Sequence, residues 1–513
     1  MATTVEANRY PRKKVAIVGS GVTGIGALWA LNRSPHDVHL FEASDRLGGH
    51  TNTVEFQNGK HSTQSTSAAC VGAHANVITP IANFLNFLNC IGIEAVKTEM
   101  TFSVSRDYGK FEWARSSLNS LFAQRSNIFS PRMWRIIFDI IRFNQHALDV
   151  LRVDLEDTTR TRSQHAAIHP EETIGEYLDR EGYSDAFRDD YLIPMTAAVW
   201  STSPEKCSLE FPAVTLIRFL WNHHLLSTVA ARPDWLTIPR GSKGYIDTVM
   251  NGFPSNHLHL KSEVTRVSNE PDGRVRLHIK GGRSAVFDHV ILATHGDQAY
   301  SIIRDSATDE ERDILRNFRT SDNVAVNIDQ VSLTYNMNIL QHIPRDQYGD
   351  VLVTLNPLHQ PDPSTVQGTY IYAHPLYTPA AIKAQERLDY IQNTRGISYA
   401  GAWTKYGFHE DGFSSGIRVA MEHLGGRIPF EFKDSTYSRG RKPELGFLDW
   451  LLRVWIWLIQ VLFISVLDKF SAQGAASRRL ASHVNSKVNG SVIAAQRVSG
   501  HMNGGYGYSK KHI

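Results

Sequence analysis

Hydrophobic positions fall into short runs and helical stripes through most of the chain. Val15-Ala16-Ile17-Val18 is a four-residue apolar run, followed by a glycine turn and an apolar helix start. A second apolar run closes on Leu40-Phe41. Such runs, bounded by turn residues, predict buried strands. Residues 81–93 repeat apolar positions at helical spacing and lead to a strand near Ala95-Val96. Met100 to Ser105 alternates as a strand. Pro131 to Val153, Ile174 to Glu181 and Ser184 to Leu192 carry helical periodicity. Strands are predicted again at Leu258–Val267, which contains Val264, at Arg274–Ile279 and at Asp288–His295. A middle sheet is expected from Val324–Val331, Val351–Leu355 and Tyr370–Ala373. From Tyr399 a strand reaches Gly401, a loop follows, and a helix begins near Asp411 or Gly412. Strands returning after a mostly helical block predict a doubly wound α/β domain with a second domain threaded through it.

The first turn carries chemistry. Gly19-Ser20-Gly21-Val22-Thr23-Gly24 spaces its glycines as G-x-G-x-x-G between a strand and a helix. Gly19 permits the tight turn, Gly21 lets a diphosphate approach the backbone, and Gly24 lets helix and strand pack closely. The helix start then offers free N–H groups and a positive dipole end to the phosphates. Glu42 ends the second strand 18 residues past Gly24, where an acid accepts hydrogen bonds from an adenosine ribose. An acid there favours FAD or NAD over NADP.

Composition narrows the class without naming it. The chain has 513 residues, more than one simple core accommodates, so two interleaved domains are expected. A net charge of +3 with 20% charged residues carries no nucleic-acid signal. Cys70, Cys90 and Cys207 show no CxxC spacing, which argues against a disulfide framework and a zinc site. No HExxH is present, and no metal is expected. A reducing compartment is the expected home of the catalytic part. The polar, basic start to Lys14 lacks an apolar signal core.

Directly after Glu42 stand Arg46, Gly48, Gly49, His50 and Thr53. With Glu42 they resemble E-x-x-x-R-x-G-G-[RH]-x-x-T, the second fingerprint of flavoproteins of the amine oxidase superfamily. The resemblance implies FAD, with Arg46 toward the adenosine end and Gly48-Gly49 near the diphosphate and flavin. His50 stands where the better-known members carry Arg. Asp288 to His295 resembles the strand by which these proteins re-enter the nucleotide fold. Gly401 to Gly416 resembles their closing segment, whose helix directs its N-terminus at the flavin pyrimidine ring. In this fold Val264, Gly401, Glu410, Asp411 and Gly412 join the expected cofactor-binding residues. Many relatives place an acid after the Gly401 equivalent, whereas this chain has Ala402. No cysteine lies there, so a thioether-linked flavin is not expected.

A narrower likeness rests on Asp190 to Ser201, Phe211-Pro212, Arg218 to Leu226, Ala293-Thr294-His295 with Asp297-Gln298, and Gly407 to Gly412. These resemble a subgroup of FAD/NAD-binding proteins related to those associated with cyclopropane-fatty-acid synthases. The match spans about residues 13 to 426. It departs at Thr66 to Val71, where the subgroup has an Asp-Thr-Gly-Phe-like stretch. The implied fold is a Rossmann-type FAD-binding domain with an interleaved α+β substrate domain. FAD-binding parts are expected at 14–75, 251–305 and 396–430, with a mostly helical insert at 76–250 and a substrate-domain sheet at 306–395.

The implied activity is that of an FAD-dependent oxidoreductase acting on a lipid or other lipophilic small molecule, by dehydrogenation, desaturation or oxidation. The alternatives are an amine oxidase, a flavin-dependent double-bond isomerase, and a non-catalytic flavin-binding partner of a lipid-modifying enzyme. Flavin takes the hydride, and the protein orients substrate and moves protons. Candidate walls are Trp200, Trp221, His223, His224, His374, Trp403 and Tyr406; His295 and His409 sit at expected cofactor-facing turns. Each histidine equally reads as a hydrogen-bonded structural residue. Cys70 reads as structural, with a nucleophile as the alternative.

Phe447 to Leu467 adds a location. Seventeen of its 21 residues are apolar, and Asp449, Arg453 and Gln460 share one stripe of a helix. The uncharged run from Val454 is 14 residues, short for a bilayer span. A membrane-associated helix within 444–470 is expected, flanked by Arg439, Arg441, Lys442, Lys469, Arg478 and Arg479. The alternative is an amphipathic helix packed on protein. Residues 1–13 and 471–513 are expected to be disordered.

Overall fold

The computed structural model describes residues 11–58, 61–66, 83–99, 101–107, 109–114, 117–152, 172–200, 209–227, 233–239, 241–323, 333–355, 357 and 360–464. The chain divides into two compact units, Met1–Glu444 and Leu445–Ile513. At the centre of the first stands a five-stranded parallel sheet. In chain order its strands are β1 Lys14–Val18, β2 Asp37–Phe41, β3 Leu258–His259, β4 His289–Leu292 and β5 Ile397–Tyr399. In space the order is β5-β4-β1-β2-β3, so three distant stretches of chain build one sheet.

β1 lies in the middle, in register with β2 (Val15 to Val38) and β4 (Val15 to His289). Its β-branched run is buried on both faces, as a central parallel strand requires. Val15 and Ile17 enter one core layer with helices α1 (Val22–Leu31), α2 (Asn83–Cys90) and α4 (His409–Leu424). Ala16 and Val18 enter the opposite layer with helix α3 (Gly296–Ile303) and a three-stranded antiparallel sheet, Val264–Asn269, Val275–Ile279 and Arg283–Phe287.

Several sequence expectations shift. The strand predicted over 258–267 is two strands in different sheets. Lys261 takes a left-handed φ of 50°, and the N–H groups of Lys261 and Ser262 turn back to the carbonyls of Ser44 and Glu42, both at 2.9 Å. The chain leaves one layer for the other there. The helix expected over 184–192 is a short turn, Asp185–Phe187, then a wide turn, Arg188–Leu192, continuing as Ile193–Trp200. Pro194 has no N–H to offer the Asp190 carbonyl, which instead accepts from Trp113 Nε1 at 3.2 Å. Ile174–Glu181 forms as predicted, with a Thr173/Glu176 capping box.

Among the described residues, the expected middle sheet is two separate antiparallel ladders. Arg319–Asn323 pairs with Tyr372–Leu376, and Leu333–Asn336 pairs with Leu352–Leu355. The strand predicted at 324–331 lies outside the described residues, as do residues 67–82 with Cys70, residues 1–10 and the tail from 465. In the second unit, helix α5, Phe447–Ile459, continues through a wide turn to Ile464. By length and composition, Phe447–Ile464 is able to cross a membrane.

Candidate functional site

The glycine turn after β1 is packed so closely that side chains are excluded. A Cβ on Gly24 would stand 1.9 Å from the Gly19 carbonyl oxygen, and one on Gly19 2.5 Å from that of Ala293. Gly19 also has φ 102°, and its N–H donates to the Phe41 carbonyl at 2.8 Å. Gly21 differs: nothing lies within 4 Å of where its Cβ would be. Among the described residues no side chain caps α1, so the N–H groups and positive dipole end of its first turn are available to a ligand.

Ser20 ties the two fingerprints together, and sequence reasoning passed over it. Its N–H and Oγ both donate to Glu42 Oε2, at 3.0 and 2.5 Å. Its carbonyl and Oγ accept from the Gly48 N–H at 3.1 and 3.2 Å. Glu42 Oε1 accepts from the Ser44 N–H at 2.9 Å. The carboxylate therefore locks the turn and still has acceptor capacity for a ribose hydroxyl. Gly49 lies against Gly21, its Cβ position 3.3 Å from Gly21 Cα. Arg46 is exposed, and its guanidinium donates to the Gly49 carbonyl at 2.9 Å, bracing its own loop.

Helix α4 lies along α1 at glycine contact. A Cβ on Gly416 would be 2.1 Å from the Thr23 carbonyl oxygen, and one on Gly412 2.8 Å from Val22 Cγ1. Gly26, unremarked in the sequence, and Gly416, at the end of the closing segment, set this approach. Their signal was small residues repeating at helical spacing. The two helices consequently begin side by side.

The acids at the start of α4 are structural caps. Glu410 accepts from the N–H groups of Asn83 and Phe84, at 3.0 and 2.8 Å, and from Ser414 Oγ at 2.6 Å. It caps α2. Asp411 Oδ2 accepts from the Phe408 N–H at 3.1 Å, and burial pushes its carboxyl up to about 7. Burial likewise raises Glu410. Both carboxylates thus accept hydrogen bonds from protein donors at the start of α4.

Four histidines from separate segments gather beyond these turns. His50 stands at the hub, its ring centroid 5.0 Å from His295, 5.6 Å from His374 and 5.2 Å from Tyr372. His295 follows β4 and starts α3; Tyr372 and His374 alternate along one strand. His409 Nε2 meets Thr51 Oγ1 at 3.3 Å, and Thr51 Oγ1 meets the Tyr245 hydroxyl at 3.0 Å. Burial lowers all four imidazoles, bringing His374 and His409 to about 4. Mutual repulsion adds to this for His50 and His374. They are neutral at pH 7.

Other predicted residues are placed elsewhere. Trp403 is a core residue: its Nε1 donates to the Thr294 carbonyl at 2.9 Å and its ring packs on Phe318. The turn at Gly401 folds it inward, with Trp403 Nε1 only 2.2 Å from a Cβ at Gly401. Tyr406, Trp200 and His223 form a second aromatic group with Phe219 and Phe408. Trp200 Nε1 donates to the Tyr406 carbonyl at 3.0 Å. His223 is held by the Phe219 carbonyl at 2.8 Å and lowered to about 4 by burial. Trp221 lies beneath Arg218 and Arg439, and His224 takes a left-handed φ of 56° at the helix end. Val264 begins its strand opposite Ile279.

An open, uncapped helix start, a locked acid at the end of β2 and a glycine pair pressed against Gly21 form a cradle that fits an adenine dinucleotide.

Comparison with known proteins agrees. The family model for flavin containing amine oxidoreductase matches residues 22–355. The fold is similar to that of putrescine oxidase bound to putrescine, with 12% identity, a TM-score of 0.55, and coverage of 81% of this chain and 99% of that one. Cyclohexylamine oxidase from Brevibacterium oxydans IH-35A aligns at 15% identity and TM-score 0.52, over 80% of this chain and 98% of its own. The CLA-producing fatty acid isomerase from P. acnes aligns at 15% identity and TM-score 0.51, over 80% and 99%.

Proposed function

Because the chain belongs to the flavin-containing amine oxidoreductases, and is therefore an FAD-dependent oxidoreductase, we propose that its substrate is a lipophilic small molecule without a cationic amine, which it dehydrogenates. One observation carries this reading. The groups that act electrostatically on His50 are His295, His374, His409 and Arg46, all of basic type. Neutral imidazoles offer hydrogen bonds to an uncharged polar group, and none of the groups acting on His50 is a carboxylate that would pair with an ammonium.

In this reading Gly19, Gly21 and Gly24, the α1 N-terminus, Glu42 and Gly48-Gly49 hold the adenosine diphosphate end. His50 and the start of α4 at His409 and Gly412 border the ring. When bound, FAD supplies the acceptor for a hydride. The protein's part is to orient the substrate, keep water out and move one proton. A neutral His295, His374 or His409 is in the right protonation state to accept that proton.

The test is anaerobic mixing of FAD-loaded protein with panels of primary amines and of unsaturated or saturated fatty acyl compounds. Flavin bleaching by a non-amine supports the reading. Bleaching by amines alone makes the protein an amine oxidase. A rearranged double bond without net oxidation makes it an isomerase, and no turnover with any compound makes it a non-catalytic partner.

The second unit supplies the place of action. Phe447, Leu448, Trp450, Trp455, Trp457, Leu462 and Phe463 are exposed along one helix, and we propose that they rest in a membrane interface. The three cysteines without CxxC spacing put the flavin-bearing unit in a reducing, cytosolic compartment in this reading. Protein ending at Glu444 should keep its FAD and no longer sediment with anionic vesicles. Unchanged sedimentation would refute the anchor.

A further inference from the structure

At the end of β2 where the chain enters the strand, opposite its Glu42 end, two histidine-bearing strands meet. Asp37 and His39 are two residues apart on β2, so both point to one face. His257 and His259 are two apart around β3, which runs parallel to β2 with Leu40 beside Leu258 and Phe41 beside His259. That register sets His257 beside His39, and their rings stack at 4.2 Å. Asp37 Oδ1 lies 3.3 Å from His39 Nε2 and 3.5 Å from His257 Nε2. The three ligand atoms all fall within 4.8 Å of one another.

These separations are those of a metal site. Bonds of about 2.0–2.2 Å in tetrahedral geometry place ligand atoms about 3.3 Å apart, so a small rotation of His257 completes three corners. His39 Nδ1 meets His259 Nε2 at 3.1 Å. With Nδ1–H donating to that ring, His39 Nε2 is left free to bind an ion beside Asp37, as the outer partners of metal-bound histidines arrange. The side chains of Asp37, His39 and His257 are 30%, 13% and 25% exposed, so an ion can reach them and water can take the fourth position.

We propose that Asp37, His39 and His257 bind one divalent cation of the zinc class, with His259 as a positioning residue. Imidazole and carboxylate ligands in this number suit zinc and its neighbours, not calcium or magnesium. The site's role is to clip the sheet edge. β3 has two residues, yet the His259 carbonyl accepts the Glu42 N–H at 2.9 Å, so the seat of Glu42 depends on it. An ion joins the two strands directly, across 218 residues of chain. Sequence analysis expected no metal because it found neither HExxH nor a cysteine cluster; the register between two distant strands brings Asp37, His39 and His257 together.

The experiment uses the FAD-loaded full-length chain, freed of metal with a chelator and desalted. Zinc chloride is titrated in, and retained metal and melting temperature are measured. About one ion per chain and a raised melting temperature are expected. His257→Gln and Asp37→Asn should each abolish both, while melting in chelator as the unaltered protein does. His259→Gln should weaken binding about ten- to a hundredfold. No retained zinc, or retention and stabilisation unchanged in both His257→Gln and Asp37→Asn, would overturn the proposal.

Discussion

The nucleotide cradle and the imidazole chamber lie next to each other but are built by opposite means. Around Gly19–Gly24, Gly48-Gly49 and Gly412–Gly416, recognition is backbone work, and the missing side chains are what matter. Around His50, His295, His374 and His409, it is side-chain work, supplied by four segments that share no sequence pattern. A backbone cradle tolerates almost no change and so identifies its ligand class. A chamber of side chains accepts substitution at constant volume and so leaves its substrate open to variation.

The sharpest way to break this contrast is to add one methyl group to the cradle. Gly24→Ala should cost about 3 kcal/mol or more, since a backbone carbonyl at 1.9 Å cannot yield as a flexible side chain would. Thermal unfolding and FAD content check it, and a variant of normal stability that holds FAD would refute the packing argument. Next is Glu42→Ala. It removes the shared acceptor of Ser20 and Ser44, with an expected loss of about 2–3 kcal/mol, read in melting temperature and in the FAD dissociation constant.

On the chamber side the effect comes with acid. His374 and His409 have pKa values near 4 in the fold, against about 6.5 in the unfolded chain, so the unfolded state binds more protons below neutrality. Stability is whole above about pH 6.5 and falls as pH drops from there toward 4. Between pH 7 and 5 each such histidine contributes about 2 kcal/mol to that fall. His409→Gln should flatten the melting-temperature profile over this range, and an unaltered profile would count against a buried neutral ring. The smallest effect is expected from Trp403→Phe. It should lose about 1 kcal/mol with its bond to the Thr294 carbonyl and leave kcat unchanged. A large fall in kcat with normal stability would return Trp403 to the reaction chamber.

Legibility in the sequence follows the same division. The G-x-G-x-x-G turn and Glu42 were readable because strand, turn, helix and acid are consecutive in the chain. Ser20, central to that turn, was hidden in a variable position of the motif, and only its bonds to Glu42 and Gly48 reveal it. Glu410 and Asp411 were placed at the correct helix start, yet their carboxylates are claimed by Asn83, Phe84 and Phe408. Asn83 is more than 300 residues away in sequence. Trp403 was a candidate wall of the reaction chamber, and its ring packs on Phe318 in the core. The strand over 258–267 looked continuous in its apolar positions, and the crossing between layers at Lys261 broke it.

What the sequence by itself determined is therefore the local machinery: the nucleotide turn, the helix that follows it, the second fingerprint at Arg46 to His50, and the apolar helix at the C-terminal end. Each depends on neighbours within about twenty residues, where spacing translates directly into geometry. Only the tertiary structure decided which histidines meet, which acids are spent as caps, and that Asp37 and His39 face His257. Those pairings join residues hundreds of positions apart. They exist because burying the apolar faces of the sheet brings distant strands into register, and local propensity has no access to that step.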